Sequence, residues 1–200
     1  TALNELNPSL MVEYERGYVG DTTGAYNGVT TGQDLVEHRS AKRLIVDAVA
    51  KAREADAVIL FGGLNKSDHQ DCEGHDRLSY RLPYGQDKLV EALAHVNPNM
   101  VFVNISGNAV AMPWKNQVPA IVQAWYLGSE AGNAIADILT GKINPSGKLP
   151  FTWPVSLEDV GAHQLHASPC GWRPDHTIIN ETSTEGMYVG LRSCGHAGQT

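Results

Sequence analysis

Apolar positions along this chain follow two rhythms. Over Ala41–Glu54, Leu44/Ile45, Ala48/Val49 and Ala52 recur at helical spacing, which predicts an amphipathic helix with Ser40 as its N-cap. Tyr84–Val96 repeats the pattern with Leu89/Leu93 and Val90/Ala94 at i,i+4, and Asn97-Pro98-Asn99 stops it. Between the two helices, Ala57–Phe61 (AVILF) has no polar position, as expected of a strand covered on both faces of a parallel sheet. Val101–Ile105 (VFVNI) and Ala120–Ala124 (AIVQA) predict further strands, and Leu10–Tyr14 (LMVEY) a short one. Ser129–Leu139 predicts a helix capped by Ser129, with Gly141 just past its end. Residues 17–34 are rich in Gly and Thr without an apolar period and read as a long surface loop. The order strand, helix, strand, helix, strand, strand, helix predicts an α/β fold, a mainly parallel sheet sandwiched between helices. Patterning fades after about Pro154, so an α/β-sandwich domain is expected over 1–155 and an irregular C-terminal tail over 156–200 that completes or flanks it.

Composition narrows the function classes. At 200 residues and 42% hydrophobic content the chain can build a core and is not expected to be disordered. A net charge of −7, with 15 scattered Lys and Arg, argues against a nucleic-acid partner. No apolar run approaches the roughly 18 residues that a membrane span needs, and Thr1-Ala-Leu-Asn lacks the charged and apolar regions of a signal peptide. Three cysteines, Cys72, Cys170 and Cys194, are too few for a disulfide framework and show no CxxC spacing.

The densest chemistry lies in Asp68–Gln86, DHQDCEGHDRLSYRLPYGQ, which follows the apolar strand at Ala57–Phe61. Loops after parallel strands are where α/β sheets gather ligands. Glu73 in this loop has two readings. It is a solvated carboxylate near Arg77, or a general acid/base whose pKa a partly closed cleft would raise towards neutrality. His69, Cys72 and His75 are spaced by threes with Asp71 and Asp76 nearby, but no second pair completes a structural zinc pattern, and no metal is expected. Gly62-Gly63 lacks both GxGxxG and the phosphate-cradling GxxxxGK[ST], and Ser106-Gly107-Asn108 is not a nucleophile elbow. Trp114, Trp125, Tyr126 and Trp153 either line a sugar site or belong to the core.

Four stretches carry a family likeness: DCEGHDRLSYRLPYGQDKLVEAL, VNISGNAVAMPW, VPAIVQAWYLGSEAGNAIADILTGKINPSGKLPFTWP and EGMYVGLR. Together, from about residue 8 to 192, they resemble the C-terminal α/β-sandwich domain of family 3 glycoside hydrolases, the β-glucosidases and β-xylosidases. The resemblance implies a retaining mechanism, with an Asp nucleophile on a preceding TIM-like barrel and a Glu acid/base on a loop of the sandwich domain. Glu73 matches that acid/base, Asp71 and His75 would bind substrate on the aglycone side, and Arg77 would brace the loop. Neither the barrel nor the family's trailing fibronectin-like domain lies within the sequence. Near EGMYVGLR, Thr182-Ser183-Thr184 and Ser193-Cys194-Gly195 stand where members usually carry aromatics. The expectation is the acid/base-bearing half of a retaining β-glycosidase acting on terminal β-linked glucosides or xylosides. It would need no cofactor, nucleic acid or membrane, and be inactive or very weak without the barrel. The family setting favours a periplasmic or secreted protein. The alternative is a non-catalytic carbohydrate-binding or interaction module.

Overall fold

A computed structural model of the chain describes residues 1–20, 25–26, 29–30, 36–67, 69–72 and 77–160. The expected tail over 156–200 lies outside these from residue 161 on, as do Cys170 and Cys194. The elements are α1 (Ala2–Leu6), β1 (Ala25–Tyr26), β2 (Val29–Thr30), α2 (Ala41–Glu54), β3 (Val58–Gly63), α3 (Gln86–Val96), β4 (Met100–Ile105), β5 (Ala120–Gln123) and α4 (Ala131–Leu139). Short 3₁₀ turns occur at Gly128–Glu130 and Leu157–Asp159.

The strands β3, β4 and β5 form a parallel sheet in that order, with Val58 opposite Met100 and Val101 opposite Ala120. Side chains alternate across it as the pleat requires. On one face Val58, Leu60, Met100 and Phe102 meet Ala48 and Ala52 of α2 and Leu89, Val90 and Leu93 of α3. On the other, Ile59, Val101, Val103, Ile105, Val122 and Ala124 meet Ile135 and Leu139 of α4. The sheet is therefore sandwiched between helices, as the apolar runs predicted. The covering over β3 is incomplete, since Phe61 remains 46% exposed. An edge strand of the described sheet has neighbours on one side only, and a purely apolar run cannot signal which of its residues a helix reaches.

Helix α2 starts where predicted, with the Ser40 hydroxyl accepting from the Arg43 amide at 3.2 Å. Asn97 ends α3 and does more than stop it. Its buried side-chain amide donates to the carbonyls of Ala52 and Ala55 at 2.8 Å each, tying the end of α2 to the end of α3. The other two predicted helix starts shift. Tyr84 lies before α3 with φ of 60°, followed by Gly85 at 72°, so the helix begins at Gln86. Ser129 sits inside the 3₁₀ turn and does not cap α4, whose N-cap is Glu130 without a side-chain bond. Gly141 does follow α4 in the left-handed region, φ 76°.

Gln86, fully buried, latches the end of β3. Its side chain accepts from the Gly63 amide and donates to the Gly63 carbonyl, both at 2.8 Å. This accounts for the glycine pair. A Cβ on Gly62 would lie 2.6 Å from the Gln86 Oε1, and one on Gly63 (φ 133°) 2.0 Å from the Ile105 carbonyl oxygen. Nearby, Trp114 is fully buried, edge-on to Phe102 at 4.7 Å, with its indole N–H on Asp87 at 2.8 Å.

The N-terminal segment differs from expectation. No strand forms at Leu10–Tyr14, where Met11 and Tyr14 project to solvent; it pairs with no strand among the described residues, and β propensity alone does not make one. Residues 17–20, expected to begin a surface loop, are half-buried. Tyr18 packs on the core, and Gly17 lies so close to Leu89 that a Cβ would come within 2.4 Å of it. Within the same span β1 and β2 pair antiparallel. Arg39 fastens this segment to α2, donating to Glu37, Glu15 (2.7 Å) and Asp47 (3.1 Å).

Replacing Gln86 with Leu preserves the bulk but orphans the buried amide and carbonyl of Gly63. The expected cost is about 3 kcal/mol, read as a lower urea midpoint with an unchanged slope. Acid tests the Arg39 cluster. The Arg39 side chain, and then its backbone N–H, pull the Glu37 carboxyl from 4.5 down to about 2. The unfolded chain therefore takes up this proton first as pH falls. The contribution is complete above pH 4.5 and is lost on approach to about pH 2. The thermal midpoint of the native chain is expected to exceed that of Glu37→Gln above pH 4.5, with the gap closing towards pH 2 and shrinking in high salt.

Candidate active site

The carboxyl ends of β3, β4 and β5 point to the same edge of the sheet, and the segments that follow them meet there. Asp71, on the loop after β3, is at the centre. It is 7% exposed. Its Oδ2 accepts from the Gly107 amide at 2.6 Å and from the Tyr126 hydroxyl at 2.7 Å, and its Oδ1 accepts from the Asn108 side chain at 3.1 Å. Gly107 and Asn108 follow β4, and Tyr126 follows β5. One carboxylate thus binds the segments after two other strands. The fit is close at Gly107, where a Cβ would stand 3.1 Å from the Tyr126 ring and 3.4 Å from Asp71 Oδ2.

The turn that receives Asp71 is itself rigidly held. Asn104 donates to the Ser106 hydroxyl at 2.8 Å and to Gln123 Oε1 at 2.6 Å, and Gln123 donates back to the Ser106 carbonyl at 2.9 Å. The Ser106 hydroxyl, fully buried, donates to the Asn108 carbonyl at 2.8 Å. The residues after it are also engaged. Arg77 donates to the Ala109 carbonyl at 2.6 Å, Trp153 to the Val110 carbonyl at 2.8 Å, and the Ala111 amide to the Tyr80 carbonyl at 2.8 Å.

Electrostatics agree with this geometry. Burial, and then the hydrogen bond to Asp71, push the Tyr126 phenol well above its ordinary value, so it stays protonated and donates. Burial lowers the pKa of the Arg77 guanidinium, an effect that the charge of Asp71 opposes. Lys66 adds a cation over the Tyr126 ring, 4.5 Å from its centre. Backbone strain gathers at the same edge. His69 and Trp125, two of the three non-glycine residues with positive φ among those described, have φ of 55° and 54°.

Of the residues singled out in the sequence, Asp71 is placed as above. Glu73 and His75 lie outside the described residues, as does Asp76. Arg77, expected to brace the loop, reaches the segment after β4. Trp114 belongs to the core. Trp125 and Trp153 are half-buried and pack with Phe151, edge-on to Trp125 at 5.9 Å and stacked on Trp153 at 5.9 Å. Sequence reasoning missed Asn108 and Gly107 as partners of Asp71 and weighed Tyr126 only as a sugar or core contact. The Gly-Asn pair after a strand was the available signal, but its partner lies 36 residues away.

Comparison with known proteins accords with this arrangement. Residues 7–191 match the Glycosyl hydrolase family 3 C-terminal domain. The chain is 53% identical over 150 residues to Beta-glucosidase BoGH3A of Bacteroides ovatus, covering 72% of this chain and 20% of that protein. It is 42% identical over 161 residues to Beta-glucosidase B of Emericella nidulans, covering 79% and 19%. Among solved structures, the β-glucosidase of Kluyveromyces marxianus in complex with glucose superposes with a TM-score of 0.68 at 34% identity, over 82% of this chain and 19% of that one. The chain thus spans about a fifth of the length of these relatives, and it belongs to glycosyl hydrolase family 3, whose C-terminal domain it represents.

Proposed function

We propose that this chain supplies the acid/base carboxyl of a retaining β-glycosidase, acting with a nucleophile-bearing TIM-like barrel on terminal β-linked glucosides, and on xylosides as a related substrate. Family membership and relatives named as β-glucosidases support the class of reaction. The observation that carries the reading is local. The loop containing Glu73 is anchored on either side, by Asp71 and Arg77, at the carboxyl edge of a parallel sheet. His75, two residues beyond Glu73, would flank the aglycone.

In the proposed reaction the protonated Glu73 gives its proton to the glycosidic oxygen as the bond to the anomeric carbon breaks. An Asp of the barrel forms the new bond to that carbon. Glu73, now a carboxylate, then takes a proton from the water that attacks the same carbon and releases the Asp. The two carboxyls must stand about 5–5.5 Å apart, so one wall of the cleft belongs to the barrel. A chain with Glu73 alone completes neither displacement.

Two measurements test this. The 200-residue chain by itself is expected to release no aryl alcohol from an aryl β-glucoside, and robust turnover would contradict the division of roles. Joined to a family 3 barrel domain, the native sequence is expected to turn over. Glu73→Ala should then lower kcat/KM on substrates with poor leaving groups by about 10²–10⁴, with added azide restoring turnover of activated ones as a glycosyl azide. A Glu73→Ala variant indistinguishable from the native sequence would instead favour a non-catalytic carbohydrate-binding module.

A further inference from the structure

We infer that Asp71 is a positioning residue for the acid/base, fixing the stem from which Glu73 extends, and not a group that meets sugar. The inference rests on Glu73 as the acid, and it goes further by naming what holds that acid in register. Both oxygens of Asp71 are occupied by protein donors, with Gly107 and Tyr126 on Oδ2 and Asn108 on Oδ1, which leaves the carboxylate engaged within the fold. Its own amide also donates to the Asn65 carbonyl at 2.9 Å, so backbone and side chain are held together.

Asp71 does not act alone. Six residues on, Arg77 binds the Ala109 carbonyl at 2.6 Å, one residue beyond Asn108. The two anchors, Asp71 and Arg77, therefore both hold one short stretch, Gly107–Ala109. That stretch is locked in turn by Ser106, Asn104 and Gln123. An acid that must deliver a proton along one direction gains from a stem fixed at both sides, since small displacements at the reacting centre cost rate steeply. Tyr126 is the tunable member. Its hydroxyl is one of three donors to Asp71, and its removal leaves the Gly107 and Asn108 contacts in place.

A loss of positioning should resemble a weakened acid. In the chain joined to a barrel domain, Asp71→Asn presents an amide N–H₂ towards donors. It is expected to lower kcat/KM for an alkyl β-glucoside about tenfold to a hundredfold, part of what removing the acid costs. For a dinitrophenyl β-glucoside, whose departure needs little protonation, the fall should be at least tenfold smaller. Tyr126→Phe should show the same preference for the activated substrate with a smaller loss, and it keeps the question answerable if Asp71→Asn folds poorly.

Equal losses on both substrates in Tyr126→Phe, or none, would overturn the positioning role while Glu73→Ala remained leaving-group selective. If Glu73→Ala itself lacks that selectivity, or the native assembly turns over no glucoside, the acid assignment fails first and the positioning role falls with it.

Discussion

A buried carboxylate with protein donors on both oxygens is a strong organising contact, and one left without donors is a heavy burden. Asp71 lies on the favourable side of that divide. Its partners come from the segments after β4 and β5, so the charge closes the carboxyl edge of the sheet across all three strands. Hydrogen bonds to an ionised acceptor are about twice as strong as neutral ones, and low local polarity strengthens them further. The strained backbone at His69 and Trp125 is tolerable beside such a contact, because neighbouring structure holds each residue where its own preference would not.

The rest of the domain prepares that edge. Gln86 sets where β3 finishes and α3 begins, and Asn97 pins the far ends of α2 and α3. These are buried amides bonded to backbone, not charges. They fix position without depending on pH, whereas the surface cluster around Arg39 does depend on it. Among the described residues the buried scaffold is apolar side chains and neutral polar groups, with Asp71 at the edge the one buried carboxylate.

Local periodicity made α2, α3, β4 and β5 readable before any coordinates, because each carries its own apolar face or run. The failures share a cause. Leu10–Tyr14 has strand-like residues but no strand partner among the described residues, Ser129 has a capping side chain in a turn that forms a 3₁₀ element first, and Phe61 is apolar yet 46% exposed. Each outcome depended on what lies beside the residue in space. The density of titratable groups at 68–76 drew attention to the loop after β3, on which Asp71 is held. The role of Asp71 was not legible there, since its partners stand 36, 37 and 55 positions away and none is charged. Family likeness proposed parts for Glu73 and, as a brace, for Arg77, but not the contacts of Asp71 with Gly107, Asn108 and Tyr126.

The stretch from Ser106 to Ala111 has a consequence for how such domains can vary. Successive residues there are gripped in turn by Gln123, Asp71, Arg77, Trp153 and Tyr80, which arrive from both sides of the chain. An inserted or deleted residue would put several of these grips out of step at once, so the length of this stretch is frozen even where its side chains can change. Diversity at this edge of the sheet must come from the loops that land on it.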